Sequence, residues 1–203
     1  SYKGSSTALL EGVSAASVFG NADSLGVTRA PLKREGDNAL VFRSGKTSAT
    51  ADMTILRSAS FPHTAGYGNV LEFDVIAAGK GGTLTVGRTA VADTIEIGTD
   101  TVTFAGKTLS VTANRYYRIA WEITADGVQH VYVNDTLVGT KNGDPLTAAG
   151  GVSFRMTKAG SVDACFAVDN LQSYTKAIAI APKLDTTSPR SDVMSVSEET
   201  RTF

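Results

Sequence analysis

Few residues in this 203-residue chain have the types and spacing for chemistry, so each candidate can be weighed in turn. Glu72-Phe73-Asp74 places two acids at i and i+2, on one face of a strand. Glycoside hydrolysis needs an acid and a nucleophile or base a few ångströms apart on one face. A Glu-x-Asp-x-x-Glu strand would supply a third acid, but here that place falls on Ala77 or Ala78. The pair reads as the polar face of a strand, with a degenerate hydrolase or lyase site as its rival. A lyase built on Gln-x-His fails as well, because Gln129 and His130 are adjacent rather than alternating.

His63 and His130 lack a His or Cys partner at ligand spacing, so zinc is not expected and both read as surface histidines. Gly79-Lys80-Gly81-Gly82 lacks the Ser/Thr and the helix of a phosphate loop and reads as a hairpin turn. Cys165 is the sole cysteine, which excludes an intrachain disulfide. Within Val162–Val168 it is expected as a small, partly buried strand residue rather than a reactive thiol.

Carbohydrate makes different demands: a flat apolar ring against the sugar's C–H face, with planar polar groups nearby for its hydroxyls. Tyr132 beside Arg118, Glu122 and His130 meets them, and Tyr67 between Gly66 and Gly68 is expected to project from a loop. A tyrosine that merely covers a sheet edge fits the sequence equally well.

The elements that must position these groups are strands. Short runs rich in Val, Ile, Thr, Phe and Tyr recur between glycines, of which there are 20, and no apolar 3.6-residue pattern persists before residue 175. Strands are predicted near 39–43, 54–58, 69–77, 83–88, 94–98, 102–104, 116–124, 129–133, 137–140, 151–156 and 164–171. Residues 14–25 read as an irregular entry segment.

One hairpin can be argued in register. Tyr117, Ile119, Trp121 and Ile123 alternate with Tyr116, Arg118, Ala120, Glu122 and Thr124, which turns the first set inward. A three-residue loop Ala125-Asp126-Gly127 pairs Trp121 with Val131 and Ile119 with Val133. A two-residue loop would expose Val131 and Val133. The longer loop gathers Tyr116, Arg118, Glu122, His130 and Tyr132 on the outer face, with Asn134 at its end, and leaves Trp121 in the core.

Composition narrows the partners. Charged residues are 19% of the chain, 19 Lys+Arg against 20 Asp+Glu, so the basic footprint of nucleic-acid binding is missing. No apolar run is long enough for membrane insertion. The chain starts at Ser1 without a signal-like segment, and we expect a piece of a longer protein.

Trp121-Glu122-Ile123, Val131–Val138 (VYVNDTLV) and Val168–Tyr174 (VDNLQSY), in that order, together with Gly36–Phe42 (GDNALVF), resemble concanavalin A-like (laminin-G-like) jelly-roll domains. The resemblance covers residues 8–175. It implies an all-β fold, a two-sheet antiparallel β-sandwich, with one concave sheet as a ligand platform. It also implies a structural calcium ion on Asp169, with Glu11 as a candidate partner; calcium wants six to eight oxygens. The alternative for Asp169 and Asn170 is hydrogen bonding within a turn.

Residues 176–203, with Pro182, Pro189 and many Ser and Thr, read as a linker, and part of them resembles the opening strand of bacterial surface Ig-like domains. The expectation is therefore a non-catalytic carbohydrate-binding or adhesive module, extracellular or at the bacterial cell surface, beside neighbouring domains of a larger chain. Its rivals are a structural spacer without a sugar ligand and an enzyme of the same fold.

Overall fold

The computed structural model describes residues 13–16, 24–34, 36–47 and 49–176, with side chains from residue 39 onward. Fourteen strands follow one another: β1 (Val13–Ala16), β2 (Ser24–Arg34), β3 (Gly36–Ser44), β4 (Thr50–Arg57), β5 (Gly68–Ala77), β6 (Thr83–Arg88) and β7 (Thr94–Ile97). Then come β8 (Thr101–Phe104), β9 (Lys107–Ser110), β10 (Tyr117–Ile123), β11 (Gln129–Val133), β12 (Thr136–Lys141), β13 (Val152–Ala159) and β14 (Ala164–Lys176). No helix occurs among the described residues, and so none that could cross a membrane.

The strands form two antiparallel seven-stranded sheets, β1-β4-β13-β6-β7-β8-β9 and β12-β11-β10-β5-β14-β3-β2. The expected all-β sandwich is the observed architecture. Alternation explains the layering: in β13 Val152, Phe154, Met156 and Lys158 are buried while their neighbours are not, and in β10 Tyr117, Ile119, Trp121 and Ile123 are buried. These inward sets meet between the sheets. Phe73 packs edge-on to Phe154 with centroids 5.3 Å apart, and Phe104 packs against Trp121 at 5.8 Å. Such contacts supply the apolar burial that drives the two layers together.

A buried cation fastens the layers. Arg88, on β6 of one sheet, donates to the Trp121 carbonyl and Asn69 Oδ1 of the other and, at 2.9 Å, to the Ala149 carbonyl. Burial lowers its pKa to about 10.

The hairpin register is the one expected. Ile119 faces Val133 and Trp121 faces Val131, with Thr124 and Val128 closing the loop through Thr124 N–H to Val128 O at 2.9 Å. Gly127 takes φ +91°.

Four expectations need correction. Residues 14–25 are not all irregular: they include most of β1 and the start of β2, both edge strands. The glycine stretch 79–82 is not a hairpin turn. It carries the chain from β5 in one sheet to β6 in the other, and Gly79 is pressed against Cys165 N and Asp163 O, where a Cβ would sit 2.5 and 2.7 Å away. His63 is half-buried with both ring nitrogens shielded, rather than open to solvent. Finally, β14 runs five residues beyond its expected end at Leu171.

Candidate functional site

The outer face of the second sheet carries the candidate residues. Across β11, β10, β5 and β14, one row reads Tyr132, Ala120, Glu72 and Gln172, each directly opposite the next. The next row reads His130, Glu122, Val70 and Tyr174. A third brings Arg118, Asp74 and Asp169 together.

The middle of the first row is low. Ala120 offers only a methyl group between Tyr132 and Glu72, which stand two inter-strand spacings apart, about 10 Å. Tyr132 forms one side of this depression, with the His130 ring tilted 39° to it at a centroid distance of 6.3 Å. His130 Nδ1 and Thr140 Oγ1 share a hydrogen bond of 3.0 Å that holds the imidazole. On the other side Glu72 accepts from Tyr174 OH at 2.8 Å and from Gln172 Nε2 at 2.7 Å. Lys176 is ion-paired with Glu122.

These neighbours set the local electrostatics. Burial, then Glu122, pushes the Tyr132 phenol above its usual range, with Lys176 acting against them. Burial, then the Glu72 hydrogen bond, moves Tyr174 up to about 12. Both phenols therefore stay protonated at neutral pH and can donate as well as accept.

Of the expected ligand residues, the structure places Arg118, Glu122, His130 and Tyr132 on one face. Tyr67 is exposed (44%), as its flanking glycines suggested, but precedes β5 in a loop and makes no ring contact or hydrogen bond to those four. Tyr174, Gln172 and Lys176 join the site without having been singled out from the sequence. Their signal was the alternation Gln172-x-Tyr174-x-Lys176, hidden by a bulge. Asn170, at φ +51°, interrupts the pairing of β14 with β5, so the register jumps from Asp169 opposite Asp74 to Gln172 opposite Glu72. Outward positions are odd-numbered before the bulge and even-numbered after it.

Glu72 and Asp74 share the face, but Asp74 is 0% exposed, with Oδ2 held by Asn170 Nδ2 at 2.7 Å and Oδ1 3.6 Å from Arg118 Nε. A carboxylate that no substrate can reach cannot be half of a hydrolytic pair.

Asp169 lies buried opposite Asp74 and accepts from the Asn170 N–H at 2.8 Å. Its oxygens suit calcium in kind, but among the described residues no group of three His, Cys, Asp or Glu is placed to hold a metal. Glu11 lies outside the described residues, as does the stretch 177–203 expected to be linker or Ig-like. Cys165 is buried on the outer side of β14 with Ala39, Val41, Ile76 and Ala167, in keeping with a packing role.

A two-sheet antiparallel sandwich with this order of strands is a concanavalin A-like jelly roll, the fold shared with lectin and carbohydrate-binding domains. Among solved structures, a sialidase superposes with a TM-score of 0.59 at 15% identity over 86% of this chain. This chain spans only 18% of that sialidase. Cellulose induced protein Cip1 gives 0.55 at 10% identity, covering 84% of this chain and 94% of its own. The carbohydrate recognition domain of Emp47p gives 0.53 at 8%, covering 83% and 90%. At these identities the likeness shows the fold alone. No protein-family model matches the chain, and no curated protein does.

Proposed function

We propose that the chain is a non-catalytic carbohydrate-binding or adhesive module of a multidomain extracellular protein, and that it takes a glycan on the outer face of β10, β11, β5 and β14. The observation that carries this reading is the row Tyr132–Ala120–Glu72: an aromatic wall, a methyl floor and an acceptor wall about 10 Å apart. An apolar ring beside fixed hydroxyl, carboxylate and amide groups is what a pyranose needs, with its C–H face on one side and its hydroxyls on the other. Glu122, His130, Arg118 and Tyr174 fringe the groove, and Tyr67 is a candidate for an outlying contact.

The test is binding to a glycan array and to insoluble polysaccharides. Tyr132→Ala is expected to weaken a bound glycan at least about tenfold, the scale of one buried aromatic anchor. Ala120→Phe, which fills the floor from the solvent side, should abolish binding while leaving unfolding unchanged. Binding that survives both, and also Tyr132→Ala combined with Tyr67→Ala, would place the site elsewhere. No binding across the panel would favour a spacer or assembly domain.

Calcium on Asp169 and Glu11 is proposed on narrower support, the oxygen chemistry around Asp169. It predicts a melting temperature raised by calcium, lowered again by chelator, and insensitive to both in Asp169→Asn. A calcium response that persists in Asp169→Asn would reject those ligands.

A further inference from the structure

A second polar cleft lies away from that face, at the open edge of the sandwich. It occupies about 350 Å³, near the lower end of the roughly 300–1,000 Å³ typical of small-ligand pockets. Ser110 at the end of β9, Arg115 just before β10, Tyr117 at the start of β10, and Asn134 and Thr136 at the β11–β12 turn line it.

Three features of the lining point the same way. First, none of the lining residues is acidic, and Arg115 is the cation among them. Arg115 is exposed and makes no hydrogen bond or ion pair with a described residue. Second, the turn fixes Asn134 at φ +45°, where its N–H donates to Arg118 O and its Oδ1 accepts from Arg118 N–H, both at 3.0 Å. That uses the carbonyl end of the amide and leaves the NH₂ as a donor. Third, Tyr117 is 5% exposed, and its phenol oxygen is buried without a hydrogen-bond partner. Buried hydroxyls in folded proteins are nearly always paired, so an orphan in the wall of a cleft marks a place where a ligand or water completes the set. Asp135, beside Asn134 in the turn, is exposed and outside the lining.

A guanidinium, an amide NH₂ and several hydroxyls, with no carboxylate to repel an anion, match a small polyhydroxylated acid. We propose that this cleft binds one carboxylate-bearing sugar unit, its carboxylate on Arg115 and its hydroxyls on Ser110, Thr136, Asn134 and Tyr117. The site is separate from the Tyr132 groove and stands or falls without it.

The experiment is an amide chemical-shift titration of the full chain with D-glucuronate, with D-glucose and with acetate. Glucuronate should shift amides of residues 109–117 and 133–136, with glucose and acetate each at least about tenfold weaker. Arg115→Gln, at an exposed position, should weaken glucuronate about ten- to a hundredfold, the scale of a charge-assisted hydrogen bond. Tyr117→Phe should weaken it severalfold. Shifts confined to Ala120, Tyr132 and Tyr174 would overturn this site while supporting the groove. No shift anywhere, acetate binding as tightly as glucuronate, or an unchanged affinity in Arg115→Gln would also overturn it.

Discussion

Replacing Gly127 by alanine tests the hairpin that builds the candidate face. Gly127 sits at φ +91°, and a Cβ there would fall on the Asp144 carbonyl and within 2.7 Å of Gly143 O. Two costs should add. A left-handed backbone costs an L-residue about 1–2 kcal/mol, offset by roughly 0.4–1 kcal/mol from a stiffer unfolded chain. Forcing the 143–146 loop away costs a further 1–3 kcal/mol or so, as overpacking does in a filled core. That loop is held by Leu146 N–H donating to Ala125 O at 3.1 Å, so it cannot retreat freely. The sum is about 2–4 kcal/mol, or roughly 5–12 °C in melting temperature for a domain of this size. Gly106 supplies the control: its φ is +72°, yet a Cβ there meets nothing within 4 Å. Gly106→Ala should therefore carry only the backbone part, about 0.5–1 kcal/mol. Urea unfolding followed by fluorescence of Trp121, the single tryptophan and fully buried, measures both. If the two variants fall within about 0.5 kcal/mol of each other, the loop does not pack on Gly127 and the reasoning fails.

Three further outcomes follow from the geometry. Gln129 joins Trp121 Nε1, which donates to its Oε1 at 3.1 Å, to Asp93 Oδ2 at 2.7 Å, so Gln129→Leu strands the indole N–H. It should destabilise by about 1–3 kcal/mol and change the Trp121 emission; an unchanged urea midpoint would count against the linkage. Arg88→Met removes a buried cation together with bonds to three acceptors, and a net loss of about 2 kcal/mol is expected in the same assay. A gain would mean that desolvating the guanidinium outweighs those bonds. Tyr174, with its pKa raised to about 12 first by burial and then by Glu72, should ionise late in an ultraviolet titration, and earlier in Glu72→Gln. A phenol whose folded pKa is raised stabilises fully below its unfolded value near 10, so this contribution is lost as pH climbs from about 10 to 12.

The legible parts of the fold share one property, an unbroken period. In β10 and β11 the alternation runs without interruption to a loop whose glycine marks the turn, so register, core face and outer face could all be read. The β9 strand, Lys-Thr-Leu-Ser, has no buried residue, and its pairing is set by the tight turn at Ala105-Gly106 rather than by hydrophobic pattern. The β2 strand carries Pro31 and several charges, which belong on the sheet edge it occupies and resemble a loop in sequence. Residues 79–82 carry the composition of a hairpin turn, yet whether a glycine-rich connection stays in its sheet or crosses to the other depends on long-range pairing. The candidate site was half legible for the same reason: Arg118, Glu122, His130 and Tyr132 lie on uninterrupted strands, whereas Gln172, Tyr174 and Lys176 lie beyond Asn170.

That interruption makes the last strand behave like a message with two reading frames. Upstream of Asn170 the outward frame spells Cys165, Ala167 and Asp169, all buried, and downstream it spells Gln, Tyr and Lys. Closing the bulge at its present length, so that residues 170 and 171 paired in regular alternation, would turn Ser173 and Thr175 outward and drive Tyr174 and Lys176 toward the core, whereas deleting one of those two residues would keep Gln172, Tyr174 and Lys176 outward. The chemical character of this face can therefore change with the place of one bulge rather than by many substitutions. A relative whose bulge lies elsewhere could keep every strand of the fold and present an unrelated surface.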